Sequence, residues 1–456
     1  MFTIRDARKN VAIFGLFDHE RHFMLKPAQI ILLGYIVVIL LGSFLLLLPG
    51  MVTPGNHLTF IDAVFTSTSA ICVTGLTVVD TATYFSLWGQ IIILILIQCG
   101  GLGYMTLTTL IAITLGRRIE YRDRIALKET FSLETPGGVV RFTLNVLKYT
   151  FTIEGIGVLL LFIGFIKKYS FPKALFAAIF HGISAFCNAG FSVFSNSLED
   201  YIQNPLVCLT VCFLIILGGI GFMVIKEIID KHRTLSLHSK VAIRVTLLLL
   251  LAGTILILLF EWNNPNTIGS LTPVRKVLAS FFQSVTPRTA GFNTIRIGSM
   301  RSISLFLIMF LMFIGASPGG TGGGIKTTTF ALLLGVVKGV AQEKNRVEFF
   351  HRRIPSELIY RAISQTILPF LLVFMVTMII MSYQSENPVQ ILFEVVSAFG
   401  TVGLSTGITS SLFTLSKFLL IVMMYYGKVG LLGLAIYPVN REEKECLLYP
   451  EEGVQL

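Results

Sequence analysis

The chain has 456 residues, of which 54% are hydrophobic and only 13% are charged. Because soluble domains carry roughly 25% charged residues, this composition excludes a soluble enzyme, a secreted disulfide-rich domain and a disordered chain. It favours a polytopic membrane protein, so the net charge of +11 must first be compared with membrane topology.

Residues 1–26 are mixed polar and basic, and they form a predicted cytoplasmic N-terminal segment. The first long apolar run starts at Ile30, too deep and too long for a signal-peptide core, so we interpret it as a retained membrane span. The six cysteines include no Cys-x-x-Cys pair, which favours small buried hydrophobic residues over a structural metal site or a disulfide framework.

Eight apolar segments have the length of about 20 residues that a helix needs to cross a bilayer. They are residues 27–48, 87–115, 143–166, 205–229, 241–260, 303–338, 359–381 and 416–437. Within each successive pair lies a shorter apolar segment, which predicts a re-entrant helix: residues 58–72, 174–187, 273–286 and 389–400. The expected fold class is therefore an all-α polytopic membrane protein with eight transmembrane helices and four pore helices.

Lysine and arginine concentrate on alternate connections. Residues 117–128, 226–244 and 338–361 are basic, as is the N-terminal segment, whereas residues 49–57, 78–86, 193–204 and 384–388 contain neither residue type. The positive-inside rule then places both termini in the cytoplasm, in a plasma membrane, and nucleic acid binding is not needed to explain the charge. Five residues fall on the opposite side as exceptions: Lys167, Lys168, Lys173, Arg275 and Lys276.

The four short segments end in related motifs that are centred on a glycine. The motifs are Val73-Thr74-Gly75, Asn188-Ala189-Gly190, Thr289-Ala290-Gly291 and Thr401-Val402-Gly403. Their spacing predicts four repeats of span, pore helix, filter loop and span in a pseudo-fourfold arrangement, over residues 27–115, 141–230, 240–338 and 359–437. Cytoplasmic loops at 116–140 and 339–358 and a tail at 438–456 complete the predicted organisation.

Non-helical backbone at membrane depth is tolerated where it is buried in protein or lines an aqueous cavity. Four such loops can converge on one axis, and each pore helix would direct the negative end of its dipole toward that axis, which favours cations. Ordinary turn or packing glycines are the alternative for a single loop, but four loops in register favour a cation path whose ligands are mainly backbone carbonyls.

A re-entrant helix followed by a Thr-Val-Gly-like strand resembles the potassium-channel filter. Four nonidentical copies in one chain resemble the Trk/Ktr/HKT superfamily of potassium transporters over residues 27–437, most closely the ion-translocating subunit of bacterial Ktr systems. In that family, four filter glycines imply a preference for potassium, and serine in place of the first implies sodium permeation. Channels have a second filter glycine, which is replaced here, so we expect fewer ion sites; the replacing residues are Thr77, Ser192, Asn293 and Ser405.

A glycine-rich segment interrupts the sixth long apolar run. It contains Gly315, Ala316, Ser317, Pro318, Gly319, Gly320, Thr321, Gly322, Gly323, Gly324, Ile325 and Lys326, and we expect the interruption to span residues 315–329. A nucleotide-binding P-loop is disfavoured because Ile325, not glycine, precedes the lysine. A structural kink remains an alternative, whereas the family resemblance implies a mobile gate below the filter, with Lys326 adding positive charge.

Lys428 lies in the last span, where a charge marks a functional candidate unless the side chain extends to the membrane interface. The family resemblance places an arginine there, so this lysine is a further candidate gating residue. We expect Asp62 to cap a helix and His181 to be structural, Glu154 and Glu394 lie in apolar surroundings, and no catalytic pair is evident.

These observations predict potassium uptake through one channel-like path per chain, with no cofactor in this chain and no enzymatic activity. The resemblance also implies a homodimer in membrane lipid, a cytoplasmic ring of regulatory subunits that bind a nucleotide, and sodium coupling in some members. The alternatives are a sodium-permeating or sodium-coupled transporter of the same fold and an alternating-access carrier. Direct rather than inverted repeats disfavour the carrier.

Overall fold

The computed structural model describes residues 27–103, 137–230, 235–343 and 346–430, with eight further residues between 106 and 128. The predicted N-terminal segment, most of the first cytoplasmic loop and the C-terminal tail lie outside these residues. So do the ends of the predicted spans 87–115 and 416–437. The regular secondary structure of the described part is helical apart from a short antiparallel hairpin that pairs Glu348–Phe349 with Arg352–Arg353.

Four long helices, one for each predicted repeat, are the first helices of four structural units. They are Pro27–Leu46, Val139–Phe165, Leu237–Glu261 and Ser356–Met381, and each is long and apolar enough to cross a membrane. Large apolar side chains such as Leu159 and Leu259 are exposed on their outer faces, which suits contact with lipid rather than water.

A shorter pore helix follows each first helix. The four pore helices are Phe60–Ile71, Phe171–Phe186, Pro273–Val285 and Pro388–Gly400, close to the bounds expected from the sequence. Proline occupies the first turn of three of them, where its missing N–H leaves no helical hydrogen bond unmade. Thr59 caps the remaining one by accepting a hydrogen bond from the Asp62 N–H. The expectation that Asp62 itself is the cap was therefore wrong; it occupies the first turn.

The second helices of the units are shorter or broken. They are Leu87–Leu102, Pro205–Ile220 with Phe222–Ile229, Ser302–Phe313 with Thr327–Ala341, and Thr414–Val429. The predicted continuous span 205–229 was wrong, because the chain bends by 101° at Gly221, whose φ of 99° interrupts the helix. The glycine-rich interruption is present, but the helix resumes at Thr327, so residues 327–329 are helical rather than part of the interruption.

The units pack around a common centre in chain order. Each first helix packs on its own pore helix, and each second helix also contacts the pore helix of the following unit. The last second helix, Thr414–Val429, packs on the first pore helix, Phe60–Ile71, and so closes the ring. The ion pair between Lys417 and Asp62 joins the same two helices with a distance of 2.8 Å.

Glycines allow three second helices to approach the ends of their own pore helices. A Cβ at Gly100, Gly218 or Gly427 would overlap with the carbonyl oxygen of Ile71, Phe186 or Phe399, respectively. Three residues after each of these glycines the chain has another glycine with positive φ, at Gly103, Gly221 and Gly430. The close approach and the break therefore recur together, and the sequence spacing of these glycines reflects one shared geometry.

We expect Gly218→Val to destabilise the protein, because the new side chain would displace the carbonyl end of the second pore helix. Overpacking of this kind costs about 1–3 kcal/mol. The matched control is Gly155→Ala, since Gly155 is also helical but a Cβ added there would have no neighbouring atom within 4 Å. Thermal unfolding in detergent should give a lower Tm for Gly218→Val and an unchanged or higher Tm for Gly155→Ala. Equal Tm values would contradict the packing argument.

Candidate ion path

The four filter loops meet in a closed ring. A Cβ at Gly75 would overlap with the carbonyl oxygen of Ala189, and one at Gly190 would lie 2.7 Å from that of Ala290. In the same sense, Gly291 lies against the carbonyl oxygen of Val402, and Gly403 against that of Thr74. The structure thus brings all four predicted motifs together, and each presents a carbonyl oxygen beside the glycine of the preceding loop, with the first loop serving the fourth.

The backbone conformation is the same in all four loops. The glycine has a positive φ, between 69° and 92°, and so does the first residue of each motif: Val73, Asn188, Thr289 and Thr401. The middle residues, which are Thr74, Ala189, Ala290 and Val402, do not share this conformation. Left-handed dihedrals at non-glycine residues cost about 1–3 kcal/mol and persist where the surrounding structure imposes them. Four such residues at equivalent positions indicate a functional rather than accidental conformation.

Hydroxyl groups at the ends of the pore helices hold the loops in place. Ser69 Oγ donates to the carbonyl oxygen of Leu76 at 2.7 Å and accepts from the Gly75 N–H at 3.0 Å. In the second unit, Ser184 Oγ donates to the carbonyl oxygen of Phe191. In the fourth unit, Ser397 Oγ accepts from the Gly403 N–H. In the third unit Val285 occupies the position of these serines, six residues before the filter glycine, and Thr286 donates to the carbonyl oxygen of Phe292 instead. Each loop therefore has a buried hydroxyl brace.

A cavity of about 210 Å³ lies at one side of the glycine ring. Its lining includes all four filter glycines, the polar residues Thr77, Ser192, Asn293 and Ser405, and the acidic residues Asp80 and Glu199. Since these residues follow the filter loops in the chain, the cavity is the outer mouth of the path under the predicted topology. Its polar and acidic lining suits a hydrated cation.

The glycine-rich interruption, residues 314–326, packs against the opposite side of the ring. The Gly323 N–H donates to Thr401 Oγ1 at 2.9 Å, and Gly322 lies against Thr289, so this segment contacts the first residues of two filter loops. Its N–H groups also donate hydrogen bonds to carbonyl oxygens near the breaks of two second helices, at Gly218, Gly219 and Gly427. The predicted gating residues therefore lie across the side of the ring opposite to the cavity, which is the inner end under the predicted topology.

Both candidate gating lysines bind this interruption. Lys326 Nζ donates to the carbonyl oxygen of Gly322 at 2.8 Å, and Lys428 Nζ donates to that of Thr321 at 2.5 Å. Within the described residues, neither lysine pairs with a carboxylate. The alternative that Lys428 extends to the membrane interface is wrong in this structure, because its amine reaches a backbone carbonyl inside the protein. Two lysine amines thus lie beside this end of the ring.

Other polar residues are explained by local partners or were missed by sequence reasoning. Glu154 accepts hydrogen bonds from Gln98 Nε2 at 3.2 and 3.3 Å. Glu261 is buried at the end of the helix Leu237–Glu261, where it accepts four hydrogen bonds. It was not among the candidate residues from the sequence. Arg288 is buried, and its Nε and Nη1 atoms have no hydrogen-bond partner. The sequence could have indicated Arg288, because it is the one charged residue directly beside a filter motif.

The fold and the ring define a helical membrane protein of the cation-transporter class, and comparisons with known proteins agree. A family model described as TrkH, cation transport protein, matches residues 18–445. The solved potassium transporter TrkH from Vibrio parahaemolyticus superposes with a TM-score of 0.73 at 17% identity, covering 92% of this chain and 87% of the other.

Two curated relatives are similar over nearly their whole length. Ktr system potassium uptake protein B of Bacillus subtilis is 39% identical, covering 94% of this chain and 96% of the relative. Potassium/sodium uptake protein NtpJ of Enterococcus hirae is 40% identical, covering 95% and 97%. The chain belongs to the TrkH family of cation transport proteins, and these relatives are named for transport rather than for an enzymatic reaction.

Proposed function

We propose that this chain is the membrane subunit of a potassium uptake system and that potassium crosses the glycine ring. The observation that carries the proposal is the closed ring of four loops, each with a carbonyl oxygen against the glycine of a neighbouring loop. Carbonyl oxygens can replace the hydration shell of potassium. The names of the Ktr relatives support the choice of ion. In this proposal the site residues are the twelve motif residues from Val73 to Gly403.

Sodium is the second candidate ion, as a permeant or a coupled ion. The specific observation in its favour is the Enterococcus hirae relative, which is named for both potassium and sodium uptake. Purified protein in liposomes distinguishes the candidates when potassium or sodium is the only permeant cation on both sides. We expect tracer uptake with potassium to exceed uptake with sodium. Equal or greater sodium uptake would favour the second candidate, and no uptake of either ion would contradict the proposal.

We also propose eight spans in four pseudo-fourfold repeats, in the plasma membrane with both termini cytoplasmic. The cyclic packing of the units supports this arrangement. By length and composition, four described helices qualify as spans, or five with the bent pair Pro205–Ile220 and Phe222–Ile229. The other second helices are too short by themselves to cross a membrane. In this proposal each crosses together with the residues that follow it in its predicted span. The proposed repeat bounds are 27–115, 141–230, 240–338 and 359–437.

The topology predicts opposite accessibility for two exposed connections. A cysteine introduced at Asn196, in a background without native cysteines, should react with an impermeant maleimide added outside the cell. A cysteine at Arg346 should react only after the cells are opened, because the basic loops are on the cytoplasmic side. Labelling of Arg346→Cys in intact cells, with no labelling of Asn196→Cys, would reverse the orientation.

For regulation, we propose that residues 314–326 gate the path and that a cytoplasmic, nucleotide-binding subunit ring controls them through the inner loops of a homodimer. The contacts of Gly322 and Gly323 with two filter loops support the gating role. The relatives named as components of a Ktr system support a multi-subunit assembly. Copurification of a cytoplasmic subunit with the dimer, and loss of its effect on flux when the inner loops are altered, would test the assembly.

A further inference from the structure

The residue two positions after each filter glycine has a side chain where a channel has its second glycine. These residues are Thr77, Ser192, Asn293 and Ser405, and all four line the 210 Å³ outer cavity. A free polar side chain at this position could turn into the ion path and act as a ligand. In three of the four units, however, the side chain is hydrogen-bonded to a partner that is not part of the glycine ring.

In the fourth unit, Glu394 binds Ser405. It is 1% exposed, and its Oε1 atom accepts hydrogen bonds from Ser405 Oγ at 2.8 Å and from the Thr406 N–H at 2.9 Å. Its Oε2 atom accepts from Thr409 Oγ1 at 2.8 Å, and the Thr406 hydroxyl also contacts Oε1 at 3.2 Å. One buried carboxylate therefore holds three residues of the segment that follows the filter.

His181 has the same role in the second unit. Both His181 and Glu394 lie nine residues before the filter glycine of their unit, at equivalent places on the pore helix. His181 Nδ1 is 2.8 Å from the Ala177 carbonyl oxygen, which can only accept, so Nδ1 carries the hydrogen. Nε2 then accepts from Ser192 Oγ at 2.9 Å, and Ser192 Oγ in turn accepts from the Phe194 N–H. The hydroxyl of Ser192 is thereby directed to the histidine.

In the third unit, Glu199 binds Asn293. Asn293 Nδ2 donates to Glu199 Oε1 at 2.9 Å, and the Asn293 N–H donates to Ser197 Oγ at 3.2 Å. Both partners lie in the outer loop of the second unit, so this contact joins two units. Thr77, in the first unit, has no side-chain hydrogen bond within the described residues. The anchoring is thus shared by three units and uses a different acceptor in each.

We infer that Glu394, His181 and Glu199 are positioning residues for ion selectivity. They hold Ser405, Ser192 and Asn293 away from the axis, so the outer mouth stays wide and the cation loses its water only at the glycine ring. Releasing one of these side chains would add a flexible polar ligand beside the ring, and a flexible ligand discriminates between cations less well than fixed carbonyls. This inference rests on the proposed function, since it assigns a selectivity role to residues around the proposed filter.

The experiment compares Glu394→Ala with Glu261→Ala as a matched control. Glu261 is also buried and also accepts four hydrogen bonds, but it binds Arg301, Ser304, Asn264 and Thr267 rather than a residue that follows the filter. Initial rates in liposomes with potassium or sodium as the only permeant cation give the selectivity ratio. We expect Glu394→Ala to lower the potassium-to-sodium ratio about fivefold, which is the scale of one lost hydrogen bond. Glu261→Ala should leave the ratio unchanged.

Two further variants separate positioning from general damage. Glu394→Gln keeps an acceptor for Ser405, so it should restore most of the ratio. Adding Ser405→Ala to Glu394→Ala removes the released hydroxyl, and it should also move the ratio back toward that of the parent. If Glu394→Ala does not fold, His181→Phe tests the same idea, because it keeps the aromatic packing against Phe165 and Phe194 but loses the acceptor. Ser192→Ala is then the restoring change.

An unchanged ratio in folded Glu394→Ala, or in folded His181→Phe when the former does not fold, overturns the inference. The inference is also overturned if the ratio is lowered in Glu394→Ala but Glu394→Gln keeps it low and adding Ser405→Ala does not raise it. For His181→Phe, the corresponding result is a lowered ratio that Ser192→Ala does not raise. Failure of the parent protein to transport potassium is a different result, because it contradicts the proposed function before any variant is compared.

Discussion

Gly75→Ser should abolish most of the preference for potassium over sodium. Gly75 has a φ of 92°, and any Cβ there would overlap with the carbonyl oxygen of Ala189 in the neighbouring loop. The serine must therefore strain the backbone, displace that carbonyl, or both. A strain of about 1–3 kcal/mol corresponds to roughly 5- to 150-fold in an equilibrium constant. The potassium-to-sodium ratio of initial uptake in liposomes measures the effect.

Gly55→Ser is the matched control for that change. Gly55 has a φ of 93°, almost the same as Gly75, but a Cβ added there would have no atom within 4 Å. Serine there brings the same local strain without contacting a filter loop, so stability should fall and the selectivity ratio should not change. If Gly75→Ser keeps the ratio of the parent, Gly75 is not part of the selective ring.

Joining Ala316 to Gly323 should raise the ion flux about tenfold or more, the effect of lowering a barrier by about 1.4 kcal/mol. The deletion of residues 317–322 removes Gly322 from its contact with Thr289 and removes the carbonyl groups to which both lysines donate. The new junction is feasible because the Ala316 N–H already donates to the Gly323 carbonyl oxygen at 3.3 Å. Stopped-flow flux measurements on the reconstituted variant give the rate.

Lys326→Ala separates charge from bulk because it keeps the length of the segment. If positive charge beside the inner end of the ring opposes cations, this variant should also raise flux, although less than the deletion. Unchanged flux in folded Lys326→Ala would remove the electrostatic contribution. Lower flux in a folded deletion variant would show instead that residues 317–322 support the packing of the two half-helices and do not block the path.

The glycine ring could be predicted from sequence because it depends on a pattern that repeats. Four short apolar segments each end in a glycine motif, and the physics of unpaired backbone in a membrane requires such loops to meet away from lipid. The positions of the pore helices followed from the same apolar lengths, with ends that differ by at most three residues from those observed. The interruption near Gly319 followed from glycine and proline, which do not sustain a helix.

Other features depend on contacts between residues that are distant in sequence. At the 101° bend, the carbonyl oxygen of Pro318 lies 2.6 Å from where a Cβ of Gly221 would be, and nothing in residues 205–229 alone predicts that neighbour. The contact of Thr286 with Phe292 depends on the geometry of the third loop, because Thr286 is one residue away from the position that serine occupies in the other units. Likewise, the contact of Lys428 with Thr321 joins residues 107 positions apart, so sequence could indicate a costly buried charge but not its partner.

Anomalous diffraction from crystals soaked with thallium(I), a heavy substitute for potassium, tests the central claim most directly. We expect one principal peak on the axis of the ring, coordinated by carbonyl oxygens of all four motifs, and a lower occupancy of that peak when excess potassium competes. Sodium at the same concentration should displace it less. A principal peak away from Gly75, Gly190, Gly291 and Gly403, in protein that transports thallium(I), would contradict the assignment of the ion path to this ring.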